Sequence, residues 1–188
     1  MSTAALKNQE FVKFTYDDYL LLPDDGKRYE ILDGELLMSP SPKHLHQKVS
    51  LRLARILADF VENNSLGEIL CAPFDVVLSP DHVVQPDILF VSNQNIEKIK
   101  ETHFAGTPDF VIEILSKSTL QRDRIVKRKI YARFGLQEYW LVHPEKKYIQ
   151  ILRLQTGDLR NVAEFKEHET LASQVFPGLK IAMNEIFK

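Results

Sequence analysis

Two acidic residues stand in stretches otherwise built for burial: Asp87 in Val-Val-Gln-Pro-Asp-Ile-Leu-Phe-Val (83–91), and Glu113 in Phe-Val-Ile-Glu-Ile-Leu (110–115). Both stretches read as strands. Side chains two apart share a face, so Asp87 lies with Leu89 and Val91, and Glu113 with Val111 and Leu115. An isolated ionised carboxylate on an apolar face must be neutralised, paired with a cation or bound to a metal. Two carboxylates held close repel unless a divalent cation lies between them, and hard oxygen ligands of this kind suit Mg2+ or Mn2+. A cationic partner is also at hand. A helix predicted from about Gln121 to Phe134 follows the Glu113 strand. At about 100° per residue it presents Val126, Ile130 and Phe134 as its core stripe, with Asp123 inside the stripe, Lys127 at its edge and Tyr131 beyond. Arg124 and Arg128 point further out. Lysine beside a bound cation positions or helps deprotonate a water and stabilises the charge that develops as a phosphodiester is attacked. The chemistry expected is metal-assisted phosphodiester hydrolysis. Plainer readings stand beside it: aspartate after proline suits a turn, Glu113 suits a buried ion pair, and Lys127 suits an ordinary helix flank.

The elements that must position these residues are legible in outline. Asp33-Gly34 between apolar runs predicts a hairpin over 28–38. Ser41-Pro42 supplies a cap and first-turn proline for a helix carrying Leu45, Val49, Leu53, Ile56 and Phe60 and ending near Asn63-Asn64. Strands follow at 68–78 and 83–91, joined by a turn through Ser79-Pro80-Asp81-His82. A polar loop with a short helix near 96–100 leads to the Glu113 strand. Ser116 to Thr119 offer caps for the second helix, Gly135 ends it, and Glu138 to His143 make the next strand. An appended hairpin at 148–154 and 159–165, then a last strand and a helical turn, complete the chain. This is an α/β layout with a mixed central sheet, an N-terminal hairpin and C-terminal strand additions.

Composition bounds the function. With 188 residues, 44% hydrophobic and 27% charged, the chain reads as one domain. The formal net charge of -2 gives no global signature of polyanion binding. Two local segments do: Lys43, Lys48, Arg52 and Arg55 without an acid, and six basic residues against Asp123 over 122–133. Within these, Lys48, Arg52, Arg124 and Arg128 are the candidate nucleic-acid contacts. The single Cys71 excludes an internal disulfide and reads as a small core residue. No apolar run reaches the roughly 18 residues of a membrane span, and Met1 to Lys7 lack a signal-peptide core, so the expectation is a cytoplasmic protein.

Several segments carry a resemblance: Tyr29 to Gly34, His46 opening the long helix, Val84-Gln85-Pro86-Asp87, Pro108 to Ser116, Asp123 with Lys127 and Tyr131, Gly135 with Glu138-Tyr139-Trp140, and Phe176-Pro177-Gly178. In this order and spacing the chain resembles the PD-(D/E)XK nucleases of the restriction-endonuclease-like fold, and among them the Uma-two family. The resemblance covers most of the chain. It implies a helix, three-strand, helix, strand core over 42–143, flanked by an N-terminal extension (1–41) and a C-terminal β extension (144–188). It implies Mg2+ or Mn2+ held by Asp87 and Glu113, with the Leu115 carbonyl as an added ligand, and DNA as substrate. Glu30, His46, Gln85, Asp123 and Tyr131 are additional site positions, and a homodimer is expected because cutting a duplex takes two sites. There are two departures. The basic position two residues after the glutamate is Leu115, which moves the lysine role to Lys127, with Lys117 the alternative nearer in sequence. His143 stands before Pro144 where similar proteins usually carry aspartate.

Overall fold

The computed structural model describes residues 12–188, so the reading of Met1 to Lys7 lies outside the described residues. The first element is one helical turn, α1 (Tyr16–Tyr19), closed by a reciprocal capping box between Thr15 and Asp18. The Asp33-Gly34 signal forms the expected hairpin of β1 (Arg28–Leu32) and β2 (Glu35–Ser39), with Leu32 opposite Glu35. Both turn residues have positive φ, 54° and 83°, the requirement of the tight primed turns that Asp-Gly tolerates. Helix α2 (His44–Asn63) buries Val49, Leu53, Leu57 and Val61, one residue per turn. Its cap position is Lys43, which makes no side-chain cap bond, so the expected Ser41 cap is not used.

The two long strands expected next are each broken in two. The chain forms β3 (Gly67–Cys71), β4 (Asp75–Ser79), β5 (His82–Val84) and β6 (Ile88–Ser92). The breaks fall at Pro73 and Pro86, which lack the N–H that a continuous ladder needs. One long hairpin therefore serves two sheets, β3 pairing with β6 and β4 with β5. The loop region holds a 3-10 segment (Asn93–Lys98) and a further strand, β7 (His103–Ala105). Then come β8 (Phe110–Ile114), a helix, β9 (Glu138–His143), and the hairpin β10 (Tyr148–Gln155) and β11 (Asp158–Lys166). The chain closes with β12 (Thr170–Ala172), β13 (Lys180–Ala182) and α4 (Met183–Phe187).

The central sheet has the order β11-β10-β9-β8-β6-β3, and only β8 and β9 within it are parallel, joined across the intervening helix. Helix α2, strands β3, β6 and β8, that helix and β9 make the expected core in the expected order. The hairpin read as an appendage continues the central sheet. A second sheet, β2-β1-β5-β4-β7, incorporates the N-terminal hairpin. Cys71, read as a core residue, is exposed, because β3 is the edge strand of its sheet.

Strand β8 is buried at all five residues. It lies between two cores, which explains its nearly continuous apolar sequence. Phe110, Ile112 and Ile114 pack with α2, Trp140 and Phe176 on one face. Val111 and Leu115 pack with Leu89, Ile130, Tyr131 and Tyr139 on the other. Glu113 alternates onto this second face, toward the helix that follows β8.

Candidate active site

Strand register brings the two acids together. In the antiparallel pairing of β6 with β8, Ile88 lies opposite Ile112. One step along the same register sets Asp87 opposite Glu113, where cross-strand Cβ atoms are about 5 Å apart. Asp87 is then fixed from both sides: its Oδ2 accepts the Ile114 N–H at 2.7 Å and stands 3.1 Å from His46 Nε2 on the first turn of α2. Glu113 is fixed through its Oε1, which accepts from Lys127 Nζ at 2.8 Å and from Tyr131 Oη at 3.1 Å.

The helix after β8 differs from its expected geometry. Arg122–Lys127 is π-helical and passes into α3 (Arg128–Arg133). The wider turn rotates the following positions relative to an α-helix. Val126, expected in the core stripe, is 39% exposed, while Lys127, expected at the edge, is 3% exposed. Asp123, Lys127, Ile130 and Tyr131 form the buried face instead.

Lys127 is surrounded by acids. Besides Glu113, its Nζ lies 2.7 Å from Glu30 Oε1 and 3.8 Å from Asp123 Oδ1. Glu30 reaches this point from the inward face of β1, whereas Glu35 is exposed on β2. Both Glu30 oxygens are engaged: Oε1 also accepts the Gln85 N–H at 2.9 Å, and Oε2 accepts from Ser39 Oγ at 3.4 Å and lies 3.6 Å from Arg122 Nη2. Glu30 is thus a fastening for Lys127, not an open ligand. Gln85 contributes through its backbone, since its side-chain amide donates to Tyr19 and Asp75 instead. Among the described residues Asp123 Oδ1 is buried without a hydrogen-bond partner.

Burial pushes the Glu113 carboxyl well above the usual range; Lys127 opposes the shift, and Asp123, Asp87 and Glu30 add to it. Burial raises Asp123 as well, again against Lys127. Burial alone would depress the Lys127 ammonium, but Glu113, Glu30 and Asp123 together hold it above its ordinary value. Its three acidic neighbours thus favour the charged form of Lys127. Tyr131, raised first by burial and then by Glu113, remains a phenol and a donor.

A cleft of about 230 Å³ opens over Asp87, Glu113 and Lys127. Within it Asp87 Oδ1 and Glu113 Oε2 accept no hydrogen bond from the described residues. Among the described residues no three His, Cys, Asp or Glu side chains form a ready metal cage. A pair of carboxylates with open oxygens nevertheless fits Mg2+, which keeps several waters and is held by one or two carboxylates plus substrate phosphate. Ile114 borders the cleft and Leu115 does not. Leu115 donates its N–H to the Val142 carbonyl on β9, whereas the Ile114 N–H points to Asp87. An extended residue projects its N–H and C=O to the same edge, so the backbone carbonyl on the Asp87 side is that of Ile114.

The expected nucleic-acid contacts lie elsewhere. Arg52 donates to the Ile186 and Lys188 carbonyls, Arg124 to Gln150, and Arg128 lies 3.6 Å from Asp158. Lys48 is half-buried on α2 and does not border the cleft. The cations that do border it are Arg28, Lys43, Lys117 and Arg122. Arg28, Lys43 and Lys117 belong to separate segments; the run over 43–55 points to Lys43, Lys117 enters only as an alternative to Lys127, and nothing singles out Arg28.

A mixed sheet carrying opposed acids on two neighbouring strands, with a lysine from the next helix, is the arrangement that the resemblance to the restriction-endonuclease-like fold implies. Residues 16–184 match the Uma2 family, described as "Putative restriction endonuclease", and the chain belongs to that family. Its fold is shared by the 1.96 Å crystal structure of a "putative nuclease belonging to DUF820" from Anabaena variabilis ATCC 29413. That match has a TM-score of 0.77 and 19% identity, and covers 93% of this chain and 97% of the other. No curated protein matches the chain.

Proposed function

We propose that this protein is a DNA endonuclease dependent on a divalent cation, Mg2+ or Mn2+. The observation that carries the reading is that Asp87 and Glu113 face each other across two strands, each with one oxygen fixed by protein donors and the other left open in one cleft. Those open oxygens and the Ile114 carbonyl would hold the cation, which supplies Lewis-acid polarisation of the phosphate and a more acidic water. The rest belongs to the chain. Lys127 and Tyr131 hold the Glu113 carboxylate in one orientation, and His46 with the Ile114 N–H does the same for Asp87. The permanent charge of Lys127 stabilises negative charge developing at the cleft floor. Arg28, Lys43 and Lys117 at the rim would take the flanking phosphates, a role that Arg124 and Arg128 cannot fill from the far side of their helix.

Both strands of a duplex are cut by two such sites, so a homodimer accompanies the proposal. No helix among the described residues is long and apolar enough to cross a membrane, and the reading assigns the protein to the cytoplasm.

The test is incubation of purified protein with plasmid, linear and single-stranded DNA in Mg2+, Mn2+ or chelator, beside Asp87→Ala. Cleavage that needs the cation and disappears in the variant supports the proposal. Binding without cleavage under every condition would instead identify a nucleic-acid-binding protein that keeps the fold.

A further inference from the structure

We infer that the site takes a single divalent cation, because the Lys127 ammonium already fills the place where a second would bind. The inference rests on the metal reading above and extends it to the number of ions. Four carboxylates line the cleft, those of Asp87, Glu113, Glu30 and Asp123, and Lys127 lies among the last three.

Geometry sets the count. Lys127 Nζ bridges Glu30 Oε1 and Glu113 Oε1 at 2.7 and 2.8 Å. A hard divalent ion shared by those oxygens would sit about 2.0–2.6 Å from each, in nearly the same place. Both oxygens carry a further donor, the Gln85 N–H on Glu30 and the Tyr131 hydroxyl on Glu113. Their capacity is therefore taken up by the protein. Asp123 Oδ1 lies 3.8 Å from the ammonium, buried and without a hydrogen-bond partner among the described residues. The open oxygens of Asp87 and Glu113 are the remaining place for an ion. Removing the ammonium would leave Glu30, Glu113 and Asp123 around a vacated position, the ligand set of a second site.

The test counts bound Mn2+ by paramagnetic resonance of the free ion during titration of the full chain, with no substrate present. Wild type is expected to bind one ion and Asp87→Asn none. Lys127→Ala is expected to bind two, falling back to one when Glu30→Gln is added. Two ions in the wild type, or one in a Lys127→Ala protein shown by circular dichroism to be folded, overturns the inference. If Lys127→Ala does not fold, the wild-type count decides: one ion supports the inference and two overturns it. A wild type that binds no ion overturns the metal reading itself, an outcome distinct from a count of two.

Discussion

Replacing Lys127 with methionine removes the charge while keeping most of the side-chain length, which isolates the electrostatic role of the ammonium. In the wild type Nζ lies 2.7 Å from Glu30, 2.8 Å from Glu113 and 3.8 Å from Asp123, and all four side chains are 5% exposed or less. Breaking one buried pair by deleting a partner costs about 3–5 kcal/mol, because a charge is left buried without compensation. Three carboxylates lose their cation here, and proton uptake limits the total, so about 3–5 kcal/mol is the expected loss near pH 8. For a chain of this size that lowers the midpoint of thermal unfolding by about 6–20 °C.

The pH dependence has a definite sign. Glu113 and Asp123 already have carboxyl pKa values raised by burial, and loss of Lys127 raises them further. The stability contributed by a group raised in the folded state is fully present below its unfolded pKa, about 4 for carboxyls, and is lost as pH rises through the folded value. The variant should therefore approach wild type in mild acid and diverge from it toward alkaline pH. Urea unfolding at both extremes in chelator is the assay. A loss under about 1 kcal/mol near pH 8, or an equal loss at both pH values, would refute the reasoning.

Other consequences lie nearby and further off. Glu138, buried at the start of β9, accepts from Trp140 Nε1 at 2.8 Å, Ser173 Oγ at 2.6 Å and Arg153 Nε at 2.7 Å, so it ties the C-terminal strands to the core. Glu138→Ala should destabilise the fold by about 3–5 kcal/mol in urea titrations while leaving the Mn2+ count unchanged. On DNA held uncut in Ca2+, Arg28→Ala, Lys43→Ala and Lys117→Ala should each flatten the dependence of log affinity on log salt by about 0.9, and Arg124→Ala should leave the slope as it is. Equal slopes for all four would remove the rim from the binding path. Glu113→Gln should match or exceed wild-type stability in chelator, with the difference growing as pH rises, since the neutral amide escapes the burial that raises the Glu113 pKa. Thermal melts across pH decide it, and a large destabilisation at high pH would contradict it.

Asp87 and Glu113 are recognisable in the sequence because an acid on an apolar strand face demands a partner, and that demand is local. The hairpin at Asp33-Gly34 and the order of helices and strands are legible for the same reason, since turn chemistry and short-range periodicity carry them. What brings Asp87 opposite Glu113 is the pairing of β6 with β8, a long-range register that no local pattern contains. The position of Lys127 depends on a π-helical turn, and an assumed α-helical period misplaces both it and Val126. Pro73 and Pro86 were visible signals for breaking the two long strands, and reading through them hides the second sheet. Arg122 and the rim residues Arg28, Lys43 and Lys117 come from separate segments, and only the folded chain sets them around one cleft with Glu30, which the resemblance already places at the site.

The central claim is that the open oxygen of Glu113 serves a cation that acts on a phosphodiester. Glu113→Gln keeps an acceptor for Lys127 and Tyr131 and removes only the charge, so it tests that claim with the least disturbance. The decisive measurement is the single-turnover rate of plasmid cleavage in Mg2+ for wild type and this variant. The account predicts cleavage by the wild type that chelator abolishes, and a rate lower by about 100-fold or more in a fully folded Glu113→Gln protein, the scale of about 3 kcal/mol of lost charge stabilisation. Equal rates for the two proteins, or cleavage that persists in chelator, would contradict it.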